Sequence, residues 1–481
     1  MSTPPRTLEA GHLAPRSGAD TLRAVERLLA SLGPRDFGVR LWTGETLPPS
    51  PGHAARFVFV LTHPSALVRM LWPPGELTAA EAFVRGDWDV EGDLVAAVGL
   101  RHRLRIGAGE LRALLPLAPA LLRGVGSAAW AASPGRAARL RGGKHSADRD
   151  AVAVRHHYEA GNEFYALWLD PRMVYSCAYF VDAATPLEDA QEAKLELVCR
   201  KLRLEPGDRL LDIGCGWGGL VTWAAERHGV SAVGITLSEA QATLARERIA
   251  ARGLSDRCRV EVTDYRALAG GAFDKVVSVG MVEHVGVALL PTYFRQALRL
   301  LRPGGLFLNH GIAPVVPRDA SLRNRLLRQG GFVQRYVFPD GELPFLHETA
   351  AAAVEAGLEL RDVESLREHY ALTVRHWLVR LEARRAEAER AVGPTAYRIW
   401  RLYLAGAASD FERAQNTVFQ ALYVKPDGGR SGLPLTRDGW LLSGAAARIN
   451  ALSGMCGGFW WALRWLEKHE MFQTFVFPQR R

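Results

Sequence analysis

The chain is predicted to be an α/β protein: a doubly wound, Rossmann-like sheet with a helical cap insertion, preceded by a smaller mixed α/β N-terminal domain. Three observations predict it. From Ala190 onward, apolar runs rich in Val, Ile and Leu alternate with amphipathic runs of helical length, as buried parallel strands and their crossover helices require. Leu210-Leu211-Asp212-Ile213 enters a glycine turn, Gly214-Cys215-Gly216-Trp217-Gly218-Gly219, the strand-turn-helix floor of a site for a nucleotide-like ligand. The 481 residues, 48% hydrophobic and 23% charged, suffice for two or three domains with ample core.

Residues 1–110 read as a compact mixed unit. A helical pattern from Leu22 to Leu32 is stopped by Gly33-Pro34, and short strands follow at Val39 to Trp42 and Arg56 to Leu61. Asp87, Asp89, Glu91 and Asp93 surround Trp88 and read as a solvated loop, because they lack EF-hand spacing. A basic linker occupies 111–150. From Arg101 to Lys144 nine Lys/Arg face one acid, Glu110, around the apolar run Leu111 to Leu122. This stretch suits either an anionic membrane surface or a solvated linker. Nucleic acid is disfavoured, since no binding motif or aromatic platform accompanies the charge.

The sheet domain is assigned to 151–425. Helix Ala190 to Leu202 precedes strand Arg209 to Ile213, helix Leu220 to His228, strand Ser231 to Thr236 and helix Glu239 to Arg252. Strands Arg259 to Val262 and Lys275 to Val279, helix Leu289 to Leu301 and strand Gly305 to His310 complete the alternation. A charged, mostly helical insertion at 322–391 interrupts it, and such an excursion often caps a site. In the extension 426–481, Phe459, Trp460, Trp461 and Trp465 read as packing on the body, the alternative being an interfacial lipid anchor with Arg464 and Lys468.

A formal charge of +9 favours an anionic partner without choosing one. Cys177, Cys199, Cys215, Cys258 and Cys456 form no C-x-x-C pair and no His/Cys cluster, so neither a metal site nor a disulfide framework is expected. A reducing cytoplasm is the default. Met1 to Gly18 lacks an apolar signal core, and Ala113 to Leu122 is too short for a bilayer span, which needs about 18 apolar residues.

The glycine turn satisfies G-x-G-x-x-G, so a dinucleotide remains open, but Asp212 before it would repel a pyrophosphate and suits a cofactor bearing an ammonium, such as the methionine end of S-adenosylmethionine. A dinucleotide fold typically needs an acid at the end of the second strand, and Thr236 stands there. Glu239 lies three residues later, in a first helical turn whose Ser238 and Gln241 form a capping-box pattern. Glu283 and His310 fall at the carboxyl rim, where ligands of such sheets bind. Adjacent side chains diverge, so Glu283 is expected to face the site and His284 to pack or orient. Upstream, His157 to Tyr165 and Tyr175 to Phe180 supply rings for an apolar substrate channel or for packing against the sheet.

In this respect the sequence resembles the cyclopropane-fatty-acyl-phospholipid synthase and mycolic acid cyclopropane synthase family of S-adenosylmethionine-dependent methyltransferases. The resemblance runs from His157 to about Phe419 through H-Y-x-x-G-N, Y-S-C-A-Y-F, L-D-I-G-C-G-W-G-G, G-I-T-L-S-x-x-Q, D-Y-R, S-V-G-M-x-E-H-V-G, the Phe307 to Ile312 strand and Y-V-F-P-D-G. It implies that Tyr175, Ser176, Asp212, Gly214, Cys215, Gly216, Thr236, Leu237, Gln241, Tyr265 and Arg266 hold S-adenosylmethionine. It implies a pocket of Cys177, Glu283, His310, Ile312 and Tyr370 for a bicarbonate ion that serves as base, and a lipid-binding character for 1–110. Many relatives carry a cysteine where Ala407 stands, so a thiol nucleophile is excluded at that position.

The implied reaction is methylene transfer to the cis double bond of unsaturated acyl chains of membrane phospholipids, giving cyclopropane fatty acids through a carbocation. The alternatives are methyl- or methylene-branched products on the same fold, or methylation of a small molecule. The expected setting is cytoplasmic and peripheral, at an anionic inner membrane face. No nucleic acid is expected, and a homodimer is left open.

Overall fold

The computed structural model describes residues 18–71, 73, 75–103, 135, 137–138, 140–271, 273–315 and 331–437. Most of the expected basic linker, the start of the insertion and the aromatic tail lie outside the described residues.

The N-terminal domain holds a four-stranded sheet in the order β2-β1-β3-β4, with β1 Phe37–Arg40, β2 Thr46–Leu47, β3 Phe57–Leu61 and β4 Trp88–Gly92. Helix Gly18–Leu29 packs on it, and helices Ala66–Leu71 and Glu76–Arg85 connect β3 to β4. Its core is aromatic: Phe37 stacks on Phe57 at 4.9 Å and Phe83 meets Trp88 edge-on at 4.9 Å.

The acidic cluster around Trp88 is not the solvated loop the sequence suggested. It is strand β4 and its flanks, and each acid has a basic or backbone partner. Asp87 is buried and accepts from Arg69 and Arg85, both at 3.1 Å, with His63 Nε2 at 2.9 Å. Asp89 accepts from Arg398 and Arg401 at 2.7 Å each, Glu91 pairs with Arg40, and Asp93 caps helix Leu94–Gly99 through the Ala96 N–H. Burial alone would raise the Asp89 carboxyl, but Arg398 and Arg401 outweigh it and hold it below its ordinary value. These arginines lie about three hundred residues away in the chain, where no local reading finds them. Asp89→Ala takes the shared carboxylate from two mostly buried guanidinium groups at the junction with the following domain, leaving Arg401 with Glu382 and Arg398 with the carbonyls of Phe83 and Trp88. It is expected to lower stability by about 2–4 kcal/mol, read as a denaturant midpoint, and an unchanged midpoint would refute that role.

The second sheet has seven strands in the order β10-β11-β9-β8-β5-β6-β7. These are β5 Arg209–Ile213, β6 Ser231–Thr236, β7 Cys258–Val262, β8 Phe273–Val279, β9 Leu301–Pro314, β10 Glu359–Ser365 and β11 Asn416–Val424. Strands β9, β8, β5, β6 and β7 are parallel, while β11 is antiparallel to β9 and to β10. Alternation along β5 shows the double winding. Leu210 enters the core beneath helices Leu187–Lys201, Gly219–His228 and Glu239–Ala251, and Leu211 the core beneath Leu290–Leu300 and Leu346–Glu355. The chain winds one way from β5 to β6 and the other way to β8, so the carboxyl end of β5 is the switch point where a ligand crevice opens.

Strands β5 and β6 coincide with their predicted bounds. Two predictions need correction. The insertion expected to be mostly helical also carries β10, whose alternating charges conceal an edge strand. Strand β9 does not end at His310 but runs to Pro314, because β11 pairs with it as far as Asn416. Helices Arg367–Ala383 and Arg385–Glu412 pack together over this end of the sheet, the second kinked at Gly393 (φ 82°) before Pro394.

Candidate active site

The turn after β5 is fixed by backbone geometry. The N–H groups of Gly214 and Cys215 both donate to Ile235 O, at 3.0 and 2.9 Å. Gly214 has φ 86°, and a Cβ there would lie 3.0 Å from Met281. Cys215 turns instead toward Gly234, where an added Cβ would sit 2.7 Å from its side chain. Asp212 is buried behind this turn, and its Oδ1 has no hydrogen-bond partner among the described residues. Burial pushes its carboxyl up to about 7, with the Lys194 charge as the opposing influence.

Above the turn opens a cavity of about 700 Å³, mouth included. Gly214 and Gly216 form its floor, Thr236, Leu237 and Gln241 one wall, and Tyr265 and Arg266 another. Thr236 Oγ1 donates to Gln241 Oε1 at 2.8 Å, and the Gln241 amide Nε2 is buried with no partner among the described residues. The Tyr265 hydroxyl is likewise buried and without a partner among them. Arg266 is clamped between Asp264 and Asp150 and donates to His145 O. Ser238 is the N-cap of Glu239–Ala251, as its position suggested.

Tyr175, Ser176, Asp212 and Cys215, expected to hold the cofactor, do not line this cavity. Asp212 and Cys215 lie beneath the turn, the Ser176 hydroxyl is taken by Lys194, and Tyr175 belongs to an aromatic cluster. Asp150, Val154, Tyr158, Met281 and His284, which sequence reasoning did not assign to the cofactor, do line it. Asp150, Val154 and Tyr158 recur every four residues on helix Ala147–Tyr158, a one-face spacing that offered the missing signal.

A second set of groups lies beside the cavity. Glu283, on the short helix Val282–Val285 after β8, is buried; its Oε1 accepts the Ile312 N–H at 2.7 Å and its Oε2 has no partner among the described residues. Burial pushes it up to about 7, against that N–H bond. His310 on β9 faces Gln420 on β11, whose amide donates to Nδ1 at 3.2 Å. The neutral ring therefore carries its proton on Nε2, which is buried and without a partner among the described residues. Burial first, then the Lys194 and Lys201 charges, holds His310 well below its ordinary value.

Tyr370, on helix Arg367–Ala383, lies 4.6 Å ring to ring from Phe411, and burial, then Tyr403, Cys177 and Glu283, raises its phenol well above the usual range. Burial likewise pushes the Cys177 thiol up; its Sγ donates to Ala178 O at 3.2 Å. That thiol is not a nucleophile. The expectation for the adjacent pair is reversed at the large cavity: His284 lines it, and Glu283 turns toward Ile312.

Rings close the remaining side. Tyr165 and Trp168 are fully buried, and Trp168 lies 5.4 Å from Tyr175, 5.6 Å from Trp377 and 5.8 Å from Trp400. Of the aromatics whose role was left open, Phe164 is fully buried in this core, and Tyr179 stacks on His369 at 4.7 Å.

A mixed seven-stranded sheet with a glycine turn at its switch point and a cavity above it defines a methyltransferase of the S-adenosylmethionine-dependent class. The family model described as mycolic acid cyclopropane synthetase matches residues 145–421, and the chain belongs to that family. It is 42% identical over 404 residues to a "Probable fatty acid methyltransferase" of Pseudomonas putida, covering 83% of this chain and 95% of the relative. It is 36% identical over 292 residues to the cyclopropane-fatty-acyl-phospholipid synthase of Escherichia coli K12, covering 61% and 72%. Among solved structures it resembles the mycolic acid cyclopropane synthase CmaA1 complexed with SAH and CTAB, with a TM-score of 0.54 and 32% identity over 57% of this chain and 98% of that one.

Proposed function

We propose that the protein transfers a one-carbon unit from S-adenosylmethionine to the cis double bond of unsaturated acyl chains of membrane phospholipids and closes it into a cyclopropane ring. The observation that carries this reading is that two buried groups beside the cavity, Glu283 Oε2 and His310 Nε2, have no hydrogen-bond partner among the described residues. Bicarbonate has the complementary chemistry, a hydroxyl to give to a carboxylate and oxygens to accept a ring N–H.

The residues present fit the cofactor. An amide at Gln241 and a hydroxyl at Tyr265 without partners among the described residues, above a glycine turn in which a Cβ at Gly214 would lie 3.0 Å from Met281, suit a ligand rich in polar edges. Gly214, Gly216, Thr236, Leu237, Gln241, Tyr265 and Arg266 would hold it. When bound, S-adenosylmethionine supplies an electrophilic methyl on a sulfonium. The chain's own contribution is placement and exclusion of water, because an alkene is a weak nucleophile and needs near-attack alignment. The ring faces of Tyr158, Tyr175 and Tyr370 stabilise positive charge on the acyl chain by about 0.5–2 kcal/mol each.

Glu283, His310 and Tyr370 would hold a bicarbonate ion, which supplies the base. The roles implied for Ile312 and Cys177 change. The Ile312 N–H is given to Glu283 and the Cys177 S–H to Ala178 O, so these two shape the pocket rather than donate to the ion.

The net charge of +9 and the basic stretch from Arg101 to Lys144 support docking on the anionic cytoplasmic face of a membrane, at roughly 1 kcal/mol per basic residue. Among the described residues no helix is long and apolar enough to cross a membrane.

A second reading, methyl branching without ring closure, is favoured by the name of the 42% identical relative. Incubation with trideuteromethyl S-adenosylmethionine and oleoyl phospholipid vesicles separates the two. A ring-closed product has lost one deuteron and its alkene, whereas a methyl branch formed by proton loss from a chain carbon has kept all three deuterons and an alkene. Acyl chains without deuterium would sink both readings.

A further inference from the structure

Residues 142–150 form a strap that leads into helix Ala147–Tyr158, whose Asp150, Val154 and Tyr158 line one wall of the large cavity. One guanidinium ties this strap to the wall that carries Tyr265. Arg266, on the short turn Tyr265–Ala267 after β7, donates to Asp150 Oδ2 and to His145 O at 3.0 Å each, and to Asp264 Oδ2 at 2.6 Å. The Asp150 N–H donates to Ser146 O at 2.9 Å in the first turn of the helix, so the place of His145 governs the place of Asp150.

The strap is fastened to the rim as well. His145 is buried, and its ring fills a notch at Gly286, where an added Cβ would lie 2.4 Å from the ring. Its Nδ1 lies 3.5 Å from Asp150 Oδ1 and its Nε2 3.9 Å from Glu342 Oε1, so the ring sits between a carboxylate of the strap and one of the segment after Phe338. Lys144 pairs with Glu342 and Arg149 with Asp340. Glu342 in turn accepts the Val287 N–H and gives its own N–H to Glu283 O, both at 2.9 Å. His145 keeps a φ of 59°, a left-handed conformation that few non-glycine residues adopt.

We propose that His145 is a positioning residue for cofactor capture: its ring, seated at Gly286 between Asp150 and Glu342, holds the strap against the rim and so sets Asp150 and Arg266 in the cavity wall. This rests on the S-adenosylmethionine reading above. Without the ring, the strap and the Arg266 side chain gain freedom that a bound cofactor must remove. The loss falls on binding rather than on the transfer step.

The test sets the affinity for S-adenosylhomocysteine, measured by calorimetry, beside steady-state turnover on oleoyl phospholipid vesicles. His145→Asn removes the ring and keeps a residue type that tolerates the left-handed backbone. It is expected to bind S-adenosylhomocysteine about tenfold more weakly, the size of one lost charge-assisted contact. KM for S-adenosylmethionine should rise to match, with kcat within about twofold of the wild type. Arg266→Met should weaken binding too, and adding His145→Asn to it should cost less than His145→Asn costs alone, because both act through one wall. If His145→Asn does not fold, Glu342→Gln removes the charge on the far side of the ring and is expected to weaken binding at unchanged kcat, again by less in the Arg266→Met background. Unchanged affinity in the folded variant, a fall in kcat at unchanged KM, or losses that add in the double variant overturn the role of His145 while leaving the cofactor reading intact. A wild type that binds no S-adenosylhomocysteine overturns both.

Discussion

Glu283→Gln is expected to lower the single-turnover rate at saturating S-adenosylmethionine by on the order of 10²–10³, the range for loss of an acid–base group, and to abolish the acid limb of the rate. Burial raises the Glu283 carboxyl to about 7, so the wild-type carboxylate is protonated as pH falls through that value. The acceptor that would hold the bicarbonate ion is then lost, and the rate falls with it. Glutamine keeps the shape and can still accept the Ile312 N–H, but it has no charge to lose. The stability effect has the opposite sign. A buried carboxylate whose folded pKa is raised above its unfolded value destabilises the fold at pH 8, so Glu283→Gln should be as stable as the wild type or more so. A variant that keeps the wild-type rate and pH profile would remove Glu283 from the chemistry.

The largest expected stability effect lies in the ring cluster. Trp168→Ala should cost about 3–5 kcal/mol, the range for truncating a fully buried large aromatic. Trp168 joins three elements, touching Tyr165 on the short helix Asn162–Ala166 that precedes it, Trp377 on Arg367–Ala383 and Trp400 on Arg385–Glu412. Its indole N–H has no partner among the described residues, so Trp168→Phe loses ring area but no hydrogen bond and should cost about 1–2 kcal/mol. Denaturant midpoints for the two variants check this. Because Tyr175 leans on Trp168 at 5.4 Å, the alanine variant should also lose turnover while keeping its affinity for S-adenosylhomocysteine. Equal midpoints for the two would show that the cluster is not a load shared between these helices.

The central sheet was legible because its parallel strands are buried on both faces and therefore read as unbroken apolar runs; β5 and β6 could be bounded to the residue. Gly214, Thr236, Gln241, Glu283 and His310 were legible because a strand, its rim and its turn follow one another in sequence. The rest came from farther away. Tyr158 and Asp150 reach the cavity from a helix that precedes β5 by some fifty residues. His284 turns into the cavity because a short helix, not an extended rim, follows β8, and helical turning redirects neighbouring side chains. The Asp89 site needed two arginines on a helix from the other end of the chain. Strand β10 carries the charges of an edge, which locally resemble those of an exposed helix.

The central claim is that this cavity delivers a one-carbon unit from S-adenosylmethionine to an acyl double bond. It is tested most directly by following methyl label from S-adenosylmethionine into vesicles of oleoyl phospholipid, with saturated phospholipid of the same head group alongside. Label is expected in the acyl chains of the oleoyl vesicles and in neither the head groups nor the saturated chains. Label confined to head groups, or equal labelling of saturated chains, would contradict it.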